Sequence, residues 1–330
     1  MSAPYPWLET PWRRLLASRA RPAQALLIGG PAGVGKRALA RAWAHALLCE
    51  APVAGAACGE CEACHWLAAG SHPDLRVVTL EEKELKGGEV RQARQIEVDQ
   101  ARDAVAFVQL STHRAGHRVL IVDPADALNL AAANALLKVI EEPPPGTVFL
   151  LVADHPRQLL PTLRSRSQRI DVGLPPRAEA EAWLAAAGVG DAATRLALAG
   201  GAPLAAQAAA AGVDADRAAV LAALARPEQL APVAQADGWK DIPPAAWHAI
   251  VYKWLADLLG ASQGVAARFN PDFSDALVKL GPRVAVSGLL RLSRVQAQEG
   301  RHLDHPLNRA LQLEAWLVQY RNLFVRKAAR

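Results

Sequence analysis

Short apolar runs separated by amphipathic stretches fill the first half of the chain. An unbroken apolar run of strand length predicts a strand buried on both faces, whereas apolar residues three or four positions apart predict one face of a helix. Leu39, Trp43 and Leu47 have this helical spacing directly after a glycine-rich loop. Strands that alternate with helices indicate a parallel sheet covered by helices on both faces. The predicted strands are 25–28, 75–80, 119–122 and 147–152, and the helices between them are 36–48, 96–110 and 131–142.

Only helical patterns follow in the second half, since the strand signals stop after Asp171. Pro175-Pro176 breaks the chain there, and glycines separate three short helical segments before longer ones begin. The predicted helices are 178–187, 191–199, 203–211, 245–259, 272–280, 284–298 and 307–326. We therefore expect three parts: an α/β domain over residues 1–172, a small helical domain over 173–212 and a larger helical domain over 213–330.

The composition is that of a globular protein, with 52% hydrophobic and 21% charged residues among 330. A net charge of +5, from 37 basic and 32 acidic residues, does not indicate a protein that coats DNA, although it permits loose contact with nucleic acid. The N-terminal segment has no apolar stretch of signal-peptide type, and no apolar run reaches the ~18 residues of a membrane-spanning helix. We therefore expect a cytoplasmic protein without membrane contact.

The segment from Gly30 to Arg37 fits the phosphate-loop pattern G-x-x-x-x-G-K but lacks the final Ser or Thr. Gly30, Gly33 and Gly35 would let backbone N–H groups cradle phosphates. Lys36 would neutralise the charge of the β- and γ-phosphates. The missing hydroxyl normally holds Mg²⁺, and Arg37 cannot replace it because a guanidinium has no acceptor lone pair.

The apolar strand 119–122 is followed directly by Asp123, the residue type that holds Mg²⁺ in phosphate-loop ATPases. The position after it, where such ATPases of the AAA+ class carry a Glu that orients the attacking water, is Pro124. Asp126 is better explained as an N-terminal helix residue than as a substitute base. Two losses in independent motifs predict that ATP is not hydrolysed, while Lys36 and the loop amides leave weak nucleotide binding open.

All four cysteines of the chain lie within sixteen positions, spaced C-x8-C-x2-C-x2-C. Four thiolates so placed suit a tetrahedral structural Zn²⁺ with no position left open for catalysis. Disulfides are disfavoured in a reducing cytoplasm, a redox pair would leave two cysteines unexplained, and a zinc deaminase would need H-x-E before P-C-x-x-C. The predicted ligands are Cys49, Cys58, Cys61 and Cys64.

A degenerate phosphate loop and a cysteine cluster inserted at residues 49–64 of the same α/β domain make the chain resemble the AAA+ subunits of bacterial clamp loaders. Arg166, within Ser165-Arg166-Ser167, matches the arginine of the family's Ser-Arg-Cys motif. The resemblance is close up to about residue 172 and looser beyond it. Further segments that resemble the family are 70–74, 96–102, 132–144, 163–168 and 305–308.

Within that family the gamma/tau subunits keep both motifs complete, so Arg37 and Pro124 make this chain resemble the non-hydrolysing delta-prime type instead. The resemblance implies an AAA+ domain with a zinc module, followed by a small helical lid and an all-α collar. It also implies a hetero-pentamer with gamma/tau and delta subunits, which opens the sliding clamp and loads it on primer–template DNA.

The resemblance further implies that Arg166 acts in trans as an arginine finger for the ATP site of a neighbouring gamma/tau subunit. Pairing of Arg166 with a local carboxylate, which would only position its loop, stays an alternative. AAA+ proteins often carry a sensor arginine on a helix of the small domain. The helix that opens near Leu204 has no arginine before Ala211.

Two rival functions remain from the residues themselves. Lys36 and the loop glycines permit a gamma-like active ATPase, which phosphate release by the isolated chain would reveal. The cysteines permit a zinc-dependent nucleic-acid binder, but Glu50, Glu60 and Glu62 make their neighbourhood acidic.

Overall fold

A parallel sheet forms the centre of the first half of the chain, as the alternation of apolar runs predicts. The computed structural model describes residues 3–84, 90–113, 116–209, 214–299 and 308–324. The chain forms two compact units, one up to Ala180 together with Ala202–Ala205, the other from Glu181–Gly201 and from Ala206 onward. The predicted boundary at residues 212 and 213 lies outside the described residues, so the division into three domains stays a prediction. Within those residues, no helix is long and apolar enough to cross a membrane.

The predicted helices and strands form in the predicted order, with further elements between them. The first elements are α1 (Glu9–Ala17), β1 (Ala25–Gly29), α2 (Lys36–Leu48), α3 (Glu62–Ala68), β2 (Leu75–Val78), β3 (Glu82–Glu84), β4 (Val90–Gln92), α4 (Val98–Gln109), β5 (Arg118–Val122), α5 (Leu130–Glu141), β6 (Thr147–Ala153), α6 (Pro161–Ser165) and β7 (Gln168–Asp171). The later helices are α7 (Arg177–Ala186), α8 (Ala192–Leu198), α9 (Pro203–Ala209), α10 (Asp214–Leu224), α11 (Pro232–Trp239), α12 (Pro244–Ala261), α13 (Ser274–Leu280), α14 (Val286–Glu299) and α15 (Arg309–Asn322).

The sheet has the strand order β2-β5-β6-β1-β7, with all neighbours parallel. Its central strands are buried on both faces because successive side chains point to opposite sides. In β1, Leu26 and Ile28 pack into the core that contains residues of α1 and α2. Ala25 and Leu27 pack into the opposite core, with residues of α4 and α5. The prediction of a parallel sheet between two helical layers is therefore confirmed.

The elements that the pattern missed are strands β3, β4 and β7 and helices α1, α3, α6, α10 and α11. Strand β7 exposes three of its four residues at the edge of the sheet, so it lacks the apolar run of a buried strand. Within the described residues, strands β3 and β4 pair with each other in antiparallel orientation and lie outside the main sheet. Helix α3 has seven residues, with Cys64 inside it and Cys61 as its N-cap, and so short a segment gives no clear helical periodicity.

The segment 70–74 that resembles the clamp-loader family is fixed by a buried ion pair. The Arg118 guanidinium donates to the Asp74 carboxylate at 2.9 Å, and both side chains are less than 5% exposed. Arg118 also donates to the Phe107 carbonyl, and the His113 backbone N–H donates to Asp74. Because Asp74 directly precedes β2 and Arg118 begins β5, the pair fastens these neighbouring strands together.

The second unit has its own aromatic core, in which Trp247, Trp254, Trp316 and Tyr320 are at most 3% exposed. The Trp254 indole N–H donates to the Tyr320 hydroxyl at 2.8 Å, which satisfies both buried polar groups. Residues 305–307 of the clamp-loader-like segment lie outside the described residues. Its last residue, Asn308, caps α15 by accepting from two backbone N–H groups.

Candidate functional site

The phosphate loop, residues 30–36, connects the carboxyl end of β1 to the start of α2, as predicted. Gly30, Gly33 and Gly35 have φ angles of 155°, 76° and 95°, a region that favours glycine. Lys36 is the first residue of α2 and is only 4% exposed. The sequence therefore folds into the loop that a phosphate-binding site requires.

The Lys36 ammonium group is already paired within the chain. It donates to the Asp154 carboxylate and to the Pro31 carbonyl, each at 2.6 Å. Asp154 stands directly after β6, the strand that pairs with β1, so the ends of the two strands bring these charges together. A buried ammonium group requires a counter-charge, and here a side chain supplies the charge that a phosphate would bring.

The two altered positions of the phosphate site also contact each other. The Arg37 Nε atom lies 2.7 Å from Asp123 Oδ2, at the end of β5. Burial raises the pKa of the Asp123 carboxyl above its usual range, and the adjacent Arg37 acts in the opposite direction. Through this contact, the carboxylate that would hold Mg²⁺ is bound to a guanidinium. The adjoining Asp123–Pro124 peptide bond is cis.

Asp126 does not point freely into the site as a base would. It lies in a 3₁₀ turn at Ala125–Ala127, in agreement with its interpretation as a helix residue. Its carboxylate accepts from the backbone N–H groups of His155, at 2.7 Å, and Asp154, at 3.3 Å. It thereby holds the segment that carries the counter-charge of Lys36.

Further contacts cover the loop, and sequence reasoning identified only one of them. The Leu204 backbone N–H donates to the Gly33 carbonyl at 3.0 Å, so the start of α9 does lie beside the loop, without an arginine in the described part of that helix. The Trp7 indole donates to the Val34 carbonyl at 2.9 Å, and the Tyr5 ring stacks on Trp7. Neither aromatic residue belongs to a phosphate-loop motif. One hint in the sequence points to their contact with the loop, namely that several aromatic residues lie close together near the N-terminus.

Arg166 lies at the end of α6 and pairs with a carboxylate of α5. Its guanidinium is 2.7 Å from Glu141, and the two side chains are 42% and 39% exposed. Arg166 also donates weakly to the Thr162 carbonyl. The local pairing that the sequence left as an alternative is thus present, while the guanidinium keeps a surface open to solvent.

The four cysteines meet at one point, although Cys49 follows a different helix, α2, from the one that begins after Cys61. Their sulfur atoms all lie within 4.8 Å of one another. Four of the six separations are 3.5 to 3.8 Å. Sulfurs bound at ~2.3 Å around a tetrahedral Zn²⁺ are roughly 3.8 Å apart, so the cluster fits that metal.

The surroundings of the sulfurs also suit bound thiolates. Backbone N–H groups of Cys58 and Cys61 donate to cysteine sulfurs at 3.2 and 3.3 Å. Burial opposes ionisation of Cys61, but N–H groups of Cys64 and Glu50 outweigh it and lower the pKa of Cys61 to about 6. Burial raises the pKa of Cys64 to about 12. Sulfurs this close cannot all ionise without a cation.

A tight turn makes this arrangement possible. Cys49 directly follows α2 and Cys61 directly precedes α3, so the ends of two helices bring their sulfurs together. Gly59, between the second and third ligands, has a φ angle of 85° with no atom near its missing Cβ. The backbone conformation, and not lack of space, therefore requires glycine there.

Comparison with known proteins shows what the chain is similar to. Residues 12–175 match the family described as DNA polymerase III, delta subunit. The DNA polymerase III subunit delta-prime of Pseudomonas aeruginosa is 38% identical over an alignment of 337 residues, which covers 97% of this chain and 98% of that protein. The DNA polymerase III subunit gamma/tau of Mycobacterium bovis is 36% identical over 154 residues, 46% of this chain and 25% of that protein.

Among solved structures, a DNA polymerase III gamma subunit-related protein of Thermotoga maritima aligns with 95% of this chain and 99% of its own, at 18% identity and a TM-score of 0.45. The relative from Pseudomonas aeruginosa carries the assignment, since its similarity extends over nearly the whole of both chains. The chain therefore belongs to the DNA polymerase III delta-prime subunit family.

Proposed function

We propose that the chain is a non-hydrolysing subunit of the bacterial clamp loader. Two ion pairs at the phosphate loop carry this proposal. Lys36 pairs with Asp154, and Arg37 pairs with Asp123. An incoming ATP would have to displace a carboxylate from a buried lysine. The Asp123 carboxylate that Mg²⁺ would need is already paired with Arg37, and the hydroxyl group that usually follows the loop lysine is missing. The site therefore keeps the loop as a structural element.

The family supplies the setting of this role. We expect a hetero-pentamer with gamma/tau and delta subunits, acting on the sliding clamp and on primer–template DNA in the cytoplasm. The second unit contains helices with its own core, which supports its assignment to a collar that joins the subunits. The α/β domain would end near residue 172, and residues 173–212 would form the lid.

Arg166 would give this subunit its part in catalysis, as the arginine finger of a neighbouring gamma/tau site. Its guanidinium is always charged and could move from Glu141 to the γ-phosphate of the neighbour, because the present pair is half exposed. Exchange of one exposed ion pair for another has a small free-energy cost, since exposed pairs contribute only about 0–1 kcal/mol. Glu141 would then hold the finger in place until assembly.

The cysteine cluster would hold one structural Zn²⁺. Cys49, Cys58, Cys61 and Cys64 would fill all four positions of the metal, so it would supply no open site for chemistry. The metal would join the end of α2 to the start of α3.

A gamma-like active ATPase is the second candidate, favoured by the intact Lys36 and by the similarity to a gamma/tau subunit. Phosphate release from Mg·ATP by the isolated chain separates the two functions. The proposed function expects release at background level, with no change in a Lys36→Ala variant. Turnover that disappears in this variant would establish the ATPase and refute the proposal.

A further inference from the structure

A cavity lies within the second unit, lined by residues of α14, of α15 and of the turn that precedes α14. Its volume is about 610 Å³, within the ~300–1,000 Å³ of pockets that bind small ligands. None of its lining residues is acidic. This α14–α15 pocket is remote in sequence from the phosphate loop and from the cysteine cluster, and neither of those sites accounts for it.

One wall of the pocket is apolar. Leu292 belongs to the buried core of the second unit, and Leu323 and Phe324, at the end of α15, are half-buried against that core. Gly288 leaves space beside them, because a Cβ atom there would lie 2.9 Å from Leu323 Cδ2 and 3.8 Å from Arg291 Nη2. The pocket therefore has room for an apolar side chain from outside.

The other wall is polar and incompletely paired. Arg283 pairs with the Glu228 carboxylate. The Arg291 guanidinium has no ion pair or hydrogen bond within the described residues, and neither have the side-chain amides of Gln319 and Asn322; all three side chains are exposed. One free positive charge and two free amide groups, each able to donate and to accept, thus border the apolar wall.

This combination matches the end of a peptide chain. We propose that the α14–α15 pocket binds the C-terminal carboxylate of a partner protein whose last residue is apolar. A guanidinium binds the two oxygens of a carboxylate in one plane, and Arg291 supplies one such free group. The amides of Gln319 and Asn322 suit the N–H and C=O groups of the last peptide units. Capture of a terminal carboxylate is a recurring mode of peptide recognition.

Two other anions fit the pocket less well. A doubly charged phosphate would have Arg291 as its single free counter-charge, since Arg283 is already paired. A fatty acid would fill the apolar wall and pair with Arg291, but it has no polar group for Gln319 and Asn322. The charge and the arrangement of donors therefore favour a peptide end.

This inference goes beyond the proposed function, which gives the second unit a role in assembly and assigns no ligand to any of its pockets. Packing of helical surfaces against each other requires no free chain end. Peptide binding is measured on the isolated chain without ATP, whereas the proposed function is measured by hydrolysis in the complex. Failure of either proposal would therefore leave the other intact.

The test measures binding of labelled hexapeptides to the full-length chain by fluorescence anisotropy. The peptides carry the label at the amino end and differ only in their last residue, which is Leu, Phe, Val or Asp. We expect the apolar ends to bind more tightly than Asp. Amidation of the terminal carboxylate should weaken binding about 10–100-fold, the effect of losing a charged hydrogen-bond partner.

Arg291→Gln should weaken binding of the free acid by a similar factor and leave the amidated peptide nearly unchanged, because the lost interaction needs both charges. The matched control is Arg294→Gln, which removes the same charge from an exposed position on α14 outside the pocket lining and should keep the affinity. Gly288→Ala should weaken the acid and the amide alike, because its methyl group takes up space beside Leu323. Thermal unfolding checks that each variant is folded.

Equal affinity for the free acid and the amide would overturn the proposal, and this comparison needs only the parent chain. Equal losses in Arg291→Gln and Arg294→Gln would mean that only net charge matters, and would overturn it as well. So would the absence of binding by every apolar-ended peptide up to about 1 mM. Octanoate is the last arm: if it displaces the peptide at the concentration of the peptide itself, the pocket is a fatty-acid site and the assignment to a protein terminus is wrong.

Discussion

At the scale of single residues, the sequence reveals what the phosphate site has lost but not what replaced it. Arg37 and Pro124 are visible as departures from a motif whose spacing is fixed. The partner of Lys36 is not, because Asp154 lies 118 residues further along the chain. Only the parallel sheet brings the ends of β1 and β6 together, so the internal ion pair could be found only from the fold.

This ion pair gives a prediction for Asp154→Asn. Removing the carboxylate leaves the buried Lys36 ammonium without a counter-charge, so the variant should be less stable without ligand and should bind Mg·ATP more tightly than the parent chain. At ATP concentrations about tenfold above the dissociation constant, binding should raise the melting temperature of the variant by roughly 3 °C. Differential scanning fluorimetry measures this shift.

The matched control is Asp99→Asn, which breaks an exposed ion pair with Arg102 and should leave both stability and nucleotide response unchanged. If ATP stabilises the parent chain as much as Asp154→Asn, the carboxylate does not exclude nucleotide.

At the scale of elements, prediction succeeded where burial dictates the pattern. Strands β1, β5 and β6 are central and apolar on both faces, so each is visible as an unbroken apolar run. Strand β7 was missed because an edge strand exposes most of its residues. The cysteine cluster was predicted from the spacing of the four residues alone, and their sulfur atoms do meet at one point.

The zinc module provides the prediction at this scale. Cys61→Ser should abolish metal binding and unfold residues 49–68 locally, because zinc contributes about 10–16 kcal/mol in isolated zinc peptides. The sheet should survive, as both of its helical layers pack without the ligands. Elemental analysis gives the zinc content and hydrogen exchange locates the unfolding. The neighbouring Glu60→Gln should retain one zinc per chain, and a folded, metal-free parent chain would contradict the site.

At the scale of the whole molecule, the two compact units set the expectation for assembly. The two cores of the first unit lie within residues 8–202, and the core of the second lies within residues 220–320. A fragment that ends at Ala209 should therefore fold and keep its zinc, yet fail to co-purify with gamma/tau subunits. Retention of the fragment in the complex, at the stoichiometry of the full chain, would exclude the helical region as the main assembly element.

The central claim is that this subunit hydrolyses nothing itself but supplies Arg166 to a neighbour. The most direct measurement is ATP hydrolysis, stimulated by clamp and primed DNA, in a complex reconstituted with Arg166→Ala. Trans-acting arginines contribute about 10³–10⁵ in rate at the site they serve. We therefore expect the complex to lose at least the share of one site, with assembly and zinc content unchanged. Arg102→Ala serves as the control for an exposed arginine. Unchanged stimulated hydrolysis in a fully assembled Arg166→Ala complex would show that Arg166 only pairs with Glu141, and would contradict the account.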